Sequence, residues 1–361
     1  MRRTLSLLLT AALALALLAG CGPKNPPAKG SGSSAPGSSS DQPDGSGSAN
    51  QAAPGSDTPV VKFMALSGPT GVGASYLMEY ASAENAYEGM PFLLDSTIVT
   101  DNQEVTNALV NGDTDIAAIA TNAAANLYAK SEGAVQVLAV NTLGVLYILE
   151  KGETVHSIAD LAGRTLYAPS NTKGANPEHI LNHLLEGNGV DPDSVDIQWI
   201  TPQEITVQMT SSDAGICMLP VPAATALMVQ DSAVREAVSL SDAWRDLEDG
   251  ELPMGCVVAR TEFIERSDPA LIEAFLDLYG DSISFMEGEG NRPDAAALTV
   301  KHGILPNEKV AEKAIPQCSL TFITGQKMRD MLEDYYEVLF QANPQSIGGG
   351  LPYDSFYYGV G

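Results

Sequence analysis

The stretch Gly68-Pro69-Thr70-Gly71-Val72-Gly73-Ala74-Ser75 falls one residue short of the phosphate-cradling pattern G-x-x-x-x-G-K-[ST]. Ala74 holds the lysine position, so no ammonium reaches a terminal phosphate and the sequence argues against nucleotide hydrolysis. What survives is a glycine-rich turn leading into a helix, where backbone N–H groups favour polar or anionic ligand groups. A comparable turn, Ser170-Asn171-Thr172-Lys173-Gly174-Ala175, stands later in the chain. Two such turns in opposed positions favour a ligand site over a pair of plain connections. Lys173 reads equally as a contact to an anion or as a solvated turn lysine. Neither turn holds an arginine, which argues against a bidentate clamp on a strongly anionic ligand.

Other reactive residue types are present without the spacing that chemistry needs. His179 and His183 lie four apart, a separation that could present both to zinc, but the glutamate of a zincin motif is missing. A solvated helix face is the better reading, and no metal or other cofactor is expected. There is no G-x-S-x-G elbow, and the carboxylates are scattered rather than paired, so nothing points to an enzyme. Beyond Cys21 the cysteines are Cys217, Cys256 and Cys318, an odd number that argues against a disulfide framework. A Cys217–Cys256 bridge stays open as an alternative.

The elements that must position these turns alternate strand and helix. A strand over 60–66 runs into the first turn and a helix over 74–83. A buried strand over 115–120 ends at Thr121-Asn122 before a helix over 123–129. The same grammar returns as a strand over 164–168, the second turn, a helix over 177–186, and an apolar strand over 216–219 ending at Pro220-Val221-Pro222. Alternation of this kind means βαβ units and a mostly parallel sheet in each of two lobes, with strand C-termini facing the gap. Crossings between lobes are expected at 143–149 and 255–259. Apolar stripes through Phe275 and Tyr279, and through Leu332 and Tyr335, read as helix faces packed on a sheet.

The N-terminus is a targeting device. Arg2 and Arg3 precede an apolar run that ends in Leu18-Ala19-Gly20-Cys21, the pattern of a secretory signal peptide. Residues 21–58, rich in Gly, Ser and Pro, cannot offset their ordering entropy by burial and read as a flexible tether. The 361 residues carry 19 Lys+Arg against 45 Asp+Glu, a net charge of −26. That field repels nucleic acid, which binds through cations. With 44% hydrophobic residues, the bulk of the chain buries a core.

Taken in order, the Leu18-Ala19-Gly20-Cys21 lipobox, GPTGVG, DIAAIATNAAANLY, LAVNTLGVLYILEKG, SIADLAGRTLYAP, NPEHILNHLL and MLPVPAA resemble ABC-transporter substrate-binding lipoproteins of the nitrate/sulfonate/taurine (NitT/TauT, SsuA-like) group. The resemblance implies an α/β, type II periplasmic-binding-protein fold, with two lobes joined by two hinge crossings and a ligand cleft between them. Residues 1–20 would be the signal peptide and 21–58 the lipid-anchored tether. One lobe would combine 59–148 with 257–361, and the other would be 149–256. Cys21 would be acylated, with chains such as palmitate, on the extracytoplasmic face of the cell membrane. The ligand would meet Ser67, Gly68, Pro69, Thr70 and Gly71, then Thr121 and Asn122, with Asn141 and Thr142 near the hinge. From the second lobe it would meet Ser170, Asn171, Thr172, Lys173, Pro220 and Val221. Relatives commonly read Leu-Pro-Glu-Pro where this chain has Leu219-Pro220-Val221-Pro222, so a carboxylate contact is missing at Val221. The implied function is capture of a small polar or anionic organic molecule (a sulfonate, oxyanion or pyrimidine-like compound) by a monomer, and delivery to an ABC permease with its ATPase. The rival readings are an enzyme on the same fold, such as a pyrimidine-precursor synthase, and a lipid-anchored sensor.

Overall fold

A computed structural model describes residues 58–248 and 250–360. The expected signal peptide, Cys21 and the expected tether up to residue 57 lie outside the described residues. Eleven strands are described in chain order. The first four are β1 (Val60–Leu66), β2 (Leu93–Val99), β3 (Ile116–Ala120) and β4 (Val135–Thr142). Then come β5 (Leu146–Lys151), β6 (Thr165–Pro169), β7 (Asp196–Ile200), β8 (Gly215–Pro220) and β9 (Val234–Ser239). The last two are β10 (Gly255–Arg260) and β11 (Leu320–Ile323).

They build two sheets, in the orders β11-β4-β10-β3-β1-β2 and β7-β6-β8-β5-β9. Both follow one plan. In the first sheet, β1 lies parallel to β2 and β3, and β10 inserts antiparallel between β3 and β4. In the second, β6 lies parallel to β7 and β8, and β5 inserts antiparallel between β8 and β9. The antiparallel strand of each lobe is therefore the one that arrives from the other lobe. The chain passes between sheets after Thr142 and returns ahead of Gly255, so Leu146–Leu149 already belongs to the second sheet.

Burial explains why these segments form strands. In β3, Ile116 and Ala118 face one core layer and Ala117 and Ile119 the other, the two-residue alternation of a strand covered on both sides. In β8, Cys217 and Leu219 face the first layer, Ile216 and Met218 the second. Cys217, Cys256 and Cys318 are all free and buried, and the first two sit in different sheets, so the Cys217–Cys256 bridge does not form. Burial pushes the Cys217 thiol up to about 12, which keeps it an unreactive small hydrophobe. Two long helices flank the first sheet. Pro269–Glu287 starts on the Asp268 cap, whose carboxylate accepts from the Ala270 N–H at 3.0 Å. Gly325–Ala342 buries Leu332, Tyr335, Tyr336 and Leu339.

Candidate functional site

The turns converge at the gap between lobes because every strand that precedes one points its C-terminus there. After β1, Gly68 takes φ of +86°, a left-handed conformation that suits glycine, and swings the chain into a one-turn helix, Pro69–Val72. The expected open turn and continuous helix over 74–83 are instead two short helices, Pro69–Val72 and Ser75–Tyr80. Ser282, buried on the long helix, fills the break between them. Its hydroxyl donates to the Gly73 carbonyl at 2.6 Å and accepts from the Leu77 N–H at 3.0 Å. The amides of Gly71 and Val72 both donate to the Gly68 carbonyl, and the Gly68 amide to Ile304. These three N–H groups are thus committed within the chain, and the turn is not a phosphate cradle. Gly71 is needed for another reason: a Cβ there would overlap the Leu66 carbonyl oxygen.

Several of the expected ligand residues are buried and hydrogen-bonded within the chain. Asn141 is fully buried, and its Nδ2 donates to the Thr70 carbonyl at 2.9 Å and to the Tyr279 hydroxyl at 2.8 Å. The buried Thr142 hydroxyl donates to Asn141 Oδ1 at 3.2 Å. Burial holds the Tyr279 phenol above its usual range, so it stays neutral in this network. Thr121, also fully buried, starts the helix Thr121–Lys130, and its hydroxyl donates to the Pro253 carbonyl at 2.8 Å on the returning crossing. Asn122 is half-buried and lines a recess of about 340 Å³ between that helix and Asn102–Asn111, together with Asn102, Gln103 and Asn126.

The second lobe presents its turn differently. Ser170–Thr172 is a short 3-10 turn that the Thr172 hydroxyl closes onto the Pro169 carbonyl at 2.6 Å. Ser170, Asn171 and Lys173 are exposed, and Lys173 enters no ion pair among the described residues. Val221 is buried in the core and its N–H donates to the Val145 carbonyl at 3.0 Å, so its side chain offers a ligand nothing polar. Pro220 is half-buried beside it. Pro222, joined to Val221 by a cis peptide bond, faces Gly68 across the gap: a Cβ on Gly68 would sit 3.8 Å from Pro222 Cδ. On the same side Thr225 is hydrogen-bonded to Gln317 of the first lobe, and the Tyr147 hydroxyl donates to the Gln317 carbonyl at 3.3 Å. The lobes are closed on each other.

His179 and His183 line one recess but take different partners. His179 Nε2 lies 3.2 Å from Asn343 Nδ2, whereas His183 Nε2 lies 2.5 Å from Glu248 Oε1 with its ring against Trp244. Among the described residues no group of three or more His, Cys, Asp and Glu is placed to hold a metal ion. The residues that sequence reasoning missed are the distant partners: Tyr279, Ser282, Gln317, Asn176, Tyr335 and Tyr336. All but Asn176 lie on helices or loops of the first lobe far along the chain from the turns they support, and nothing local marks them.

Two α/β sheets of matched strand order, exchanging one strand each across a closed gap, define the type II periplasmic-binding-protein fold. Within it, residues 94–286, more than half of the 361, match the family model described as NMT1/THI5 like, and the chain belongs to that family. The solved structures agree on architecture. An ABC transporter protein from Parabacteroides distasonis is 21% identical with a TM-score of 0.67, over 82% of this chain and 98% of that one. The periplasmic aliphatic sulphonate binding protein SsuA of Escherichia coli is 16% identical with a TM-score of 0.64, over 81% and 91%. The ligand-binding component of an ABC-type import system from Staphylococcus aureus, solved with zinc bound, is 15% identical with a TM-score of 0.60, over 83% and 96%. No curated protein matches the chain. At these identities the structural likeness establishes the fold.

Proposed function

We infer that this chain is an extracytoplasmic solute-binding lipoprotein. It captures a small polar or anionic organic molecule (sulfonate, oxyanion or pyrimidine-like) between its lobes and presents the closed form to an ABC permease with its ATPase. The observation that carries this reading is the pair of matched sheets with their strand ends turned to one gap and only two crossings between them. Such a molecule opens and closes as two bodies, and a ligand touching both stabilises the closed state by differential contacts. Ser67, Thr70, Ser170, Asn171 and Lys173 are the contacts we assign to the ligand, with Asn141, Thr142 and Thr121 holding the turns behind them. Cys21 carries the lipid anchor, and the protein works as a monomer. No helix among the described residues is long and apolar enough to cross a membrane.

Native mass spectrometry of the purified protein for a co-purified ligand tests the reading, followed by a thermal-shift screen of sulfonates, oxyanions and pyrimidines. A ligand at a hundred times its Kd stabilises the native state by about 2.7 kcal/mol, a shift of several degrees. Turnover of the bound compound would move the assignment to an enzyme. Stabilisation by metal ions alone would return attention to His179 and His183.

A further inference from the structure

We propose that Tyr335 is a positioning residue that latches the two lobes together in the absence of ligand. Helix Gly325–Ala342 of the first lobe carries two adjacent buried tyrosines, and each holds one of the site's turns. Tyr336 donates its hydroxyl to the Thr121 carbonyl at 2.9 Å, on the first lobe's own turn. Tyr335 reaches across to the second lobe. Its hydroxyl lies 2.7 Å from Asn176 Nδ2 and 2.9 Å from Asn176 Oδ1, at the first residue of the helix that follows the Ser170–Lys173 turn. Adjacent helix positions diverge by about 100°, so one rigid helix can face both lobes at once.

The contact is built as a latch. Asn176 is 6% exposed and Tyr335 1%, so each is dry and each answers the other's hydrogen-bonding groups. Opening the lobes separates them into water, where both are satisfied. Closing them is favourable only while both are present, because a single partner is stranded in a buried seam. The Tyr335 ring also packs edge-on against Trp244 of the second lobe, with centroids 5.9 Å apart. His179 and Asn343 extend the same seam. Removing the Tyr335 hydroxyl while keeping its ring should lower the closed-to-open ratio by roughly five- to a hundredfold.

This inference rests on the two-lobed reading of the function, but its test uses no ligand. The chain has two tryptophans, so a Trp199→Phe background leaves Trp244 as the sole indole, buried at 2% exposure and in contact with Tyr335. Acrylamide quenching and the emission maximum then read lobe separation directly. The full protein should be protected, Tyr335→Phe should be quenched more strongly with red-shifted emission, and far-UV circular dichroism should be unchanged. Adding Asn176→Leu to Tyr335→Phe makes the seam apolar on both sides and should restore protection. Should Tyr335→Phe fail to fold, Asn176→Ala is read in the same way. Unaltered quenching in the folded variant, or a Trp244 already open to quencher in the unsubstituted protein, overturns the latch. Neither result bears on whether the protein binds a solute, and a fruitless ligand screen leaves the latch untouched.

Discussion

Replacing Asn141 by Asp changes one NH₂ to oxygen at the most enclosed polar group of the site, and the outcome depends on pH. In the native protein Nδ2 donates at 2.9 Å to the Thr70 carbonyl and at 2.8 Å to the Tyr279 hydroxyl. An ionised aspartate keeps the Thr142 bond and can accept from Tyr279, but it sets a charged oxygen against the Thr70 carbonyl. That carbonyl then lacks its donor in a partly buried position, worth about 1–3 kcal/mol, and placing the charge on the fully buried residue 141 brings the total to about 2–4 kcal/mol. A protonated aspartic acid can donate to Thr70 and recovers most of this. Burial raises the folded pKa above the unfolded value of about 3.9, so between those values the unfolded chain has released its proton while the folded one keeps it. Stability of the variant, relative to the unsubstituted protein, therefore falls as pH rises through that window, by up to about 1.4 kcal/mol per pH unit, and then levels. Urea denaturation at about pH 4.5 and about pH 8 measures it, the deficit being larger at the higher pH. An equal deficit at both pH values would refute the hydrogen bond to Thr70, and with it the strut role given to Asn141.

Three other outcomes are expected. Glu150 is buried. Desolvation alone would raise its pKa, but hydrogen bonds from Thr154 and Val155 and the Arg235 guanidinium at 2.6 Å outweigh that and hold it below the usual carboxylate range. Its stabilising effect is present above the unfolded pKa and is lost as pH falls through the folded one. Glu150→Ala should cost about 2–3 kcal/mol at neutral pH in chemical denaturation, less than a fully buried pair because Arg235 keeps 28% exposure. Lys173→Ala should shift unfolding by less than about 0.5 kcal/mol while weakening the thermal stabilisation produced by anionic ligands. Equal stabilisation in both proteins would return Lys173 to a solvated turn lysine. On the proposed anchoring, Cys21→Ser should move the protein out of the membrane fraction on cell fractionation.

The legible part of the fold was the part written locally. Ile116-Ala117-Ala118-Ile119 and Ile216-Cys217-Met218-Leu219 announce strands buried on both faces, and Asp268-Pro269 announces a helix start. The insertion of β10 between β3 and β4 was not legible, because pairing Cys256 with Ile119 and Val140 joins segments far apart in sequence through apolar residues that carry no register label. The site divides the same way. Which turns face the gap could be read from strand direction, but not which side chains do. Asn141 and Thr121 have the residue types of ligand contacts, and only partners 138 and 132 positions away, Tyr279 and Pro253, convert them into struts. Tyr335 shows the converse. Its place in an apolar helical stripe marks it as core, and its hydroxyl acquires a role only from Asn176, on a different lobe.

The departure at Val221 bears on what the proposed cleft would accept. Where the resemblance implies a carboxylate, this chain buries a valine beside Pro222, and the wall there is apolar, with Pro222 Cδ 3.8 Å from where a Cβ on Gly68 would sit. Closing such a wall requires no desolvation of an anion, which a glutamate in that position would have added to every closure. It also removes the repulsion that a carboxylate would direct at an anionic ligand. The net charge of −26 does not restore that repulsion at short range, since the five contacts assigned to the ligand are hydroxyls, an amide and one ammonium, and the field of distant surface acids is screened within about 8–10 Å at physiological salt. Within the proposed range of ligands the substitution therefore shifts the balance toward the anionic end, with Lys173 as the neutralising group. A screen ranking sulfonates and oxyanions above neutral pyrimidines, with the order reversed in Val221→Glu, is the outcome this reasoning requires.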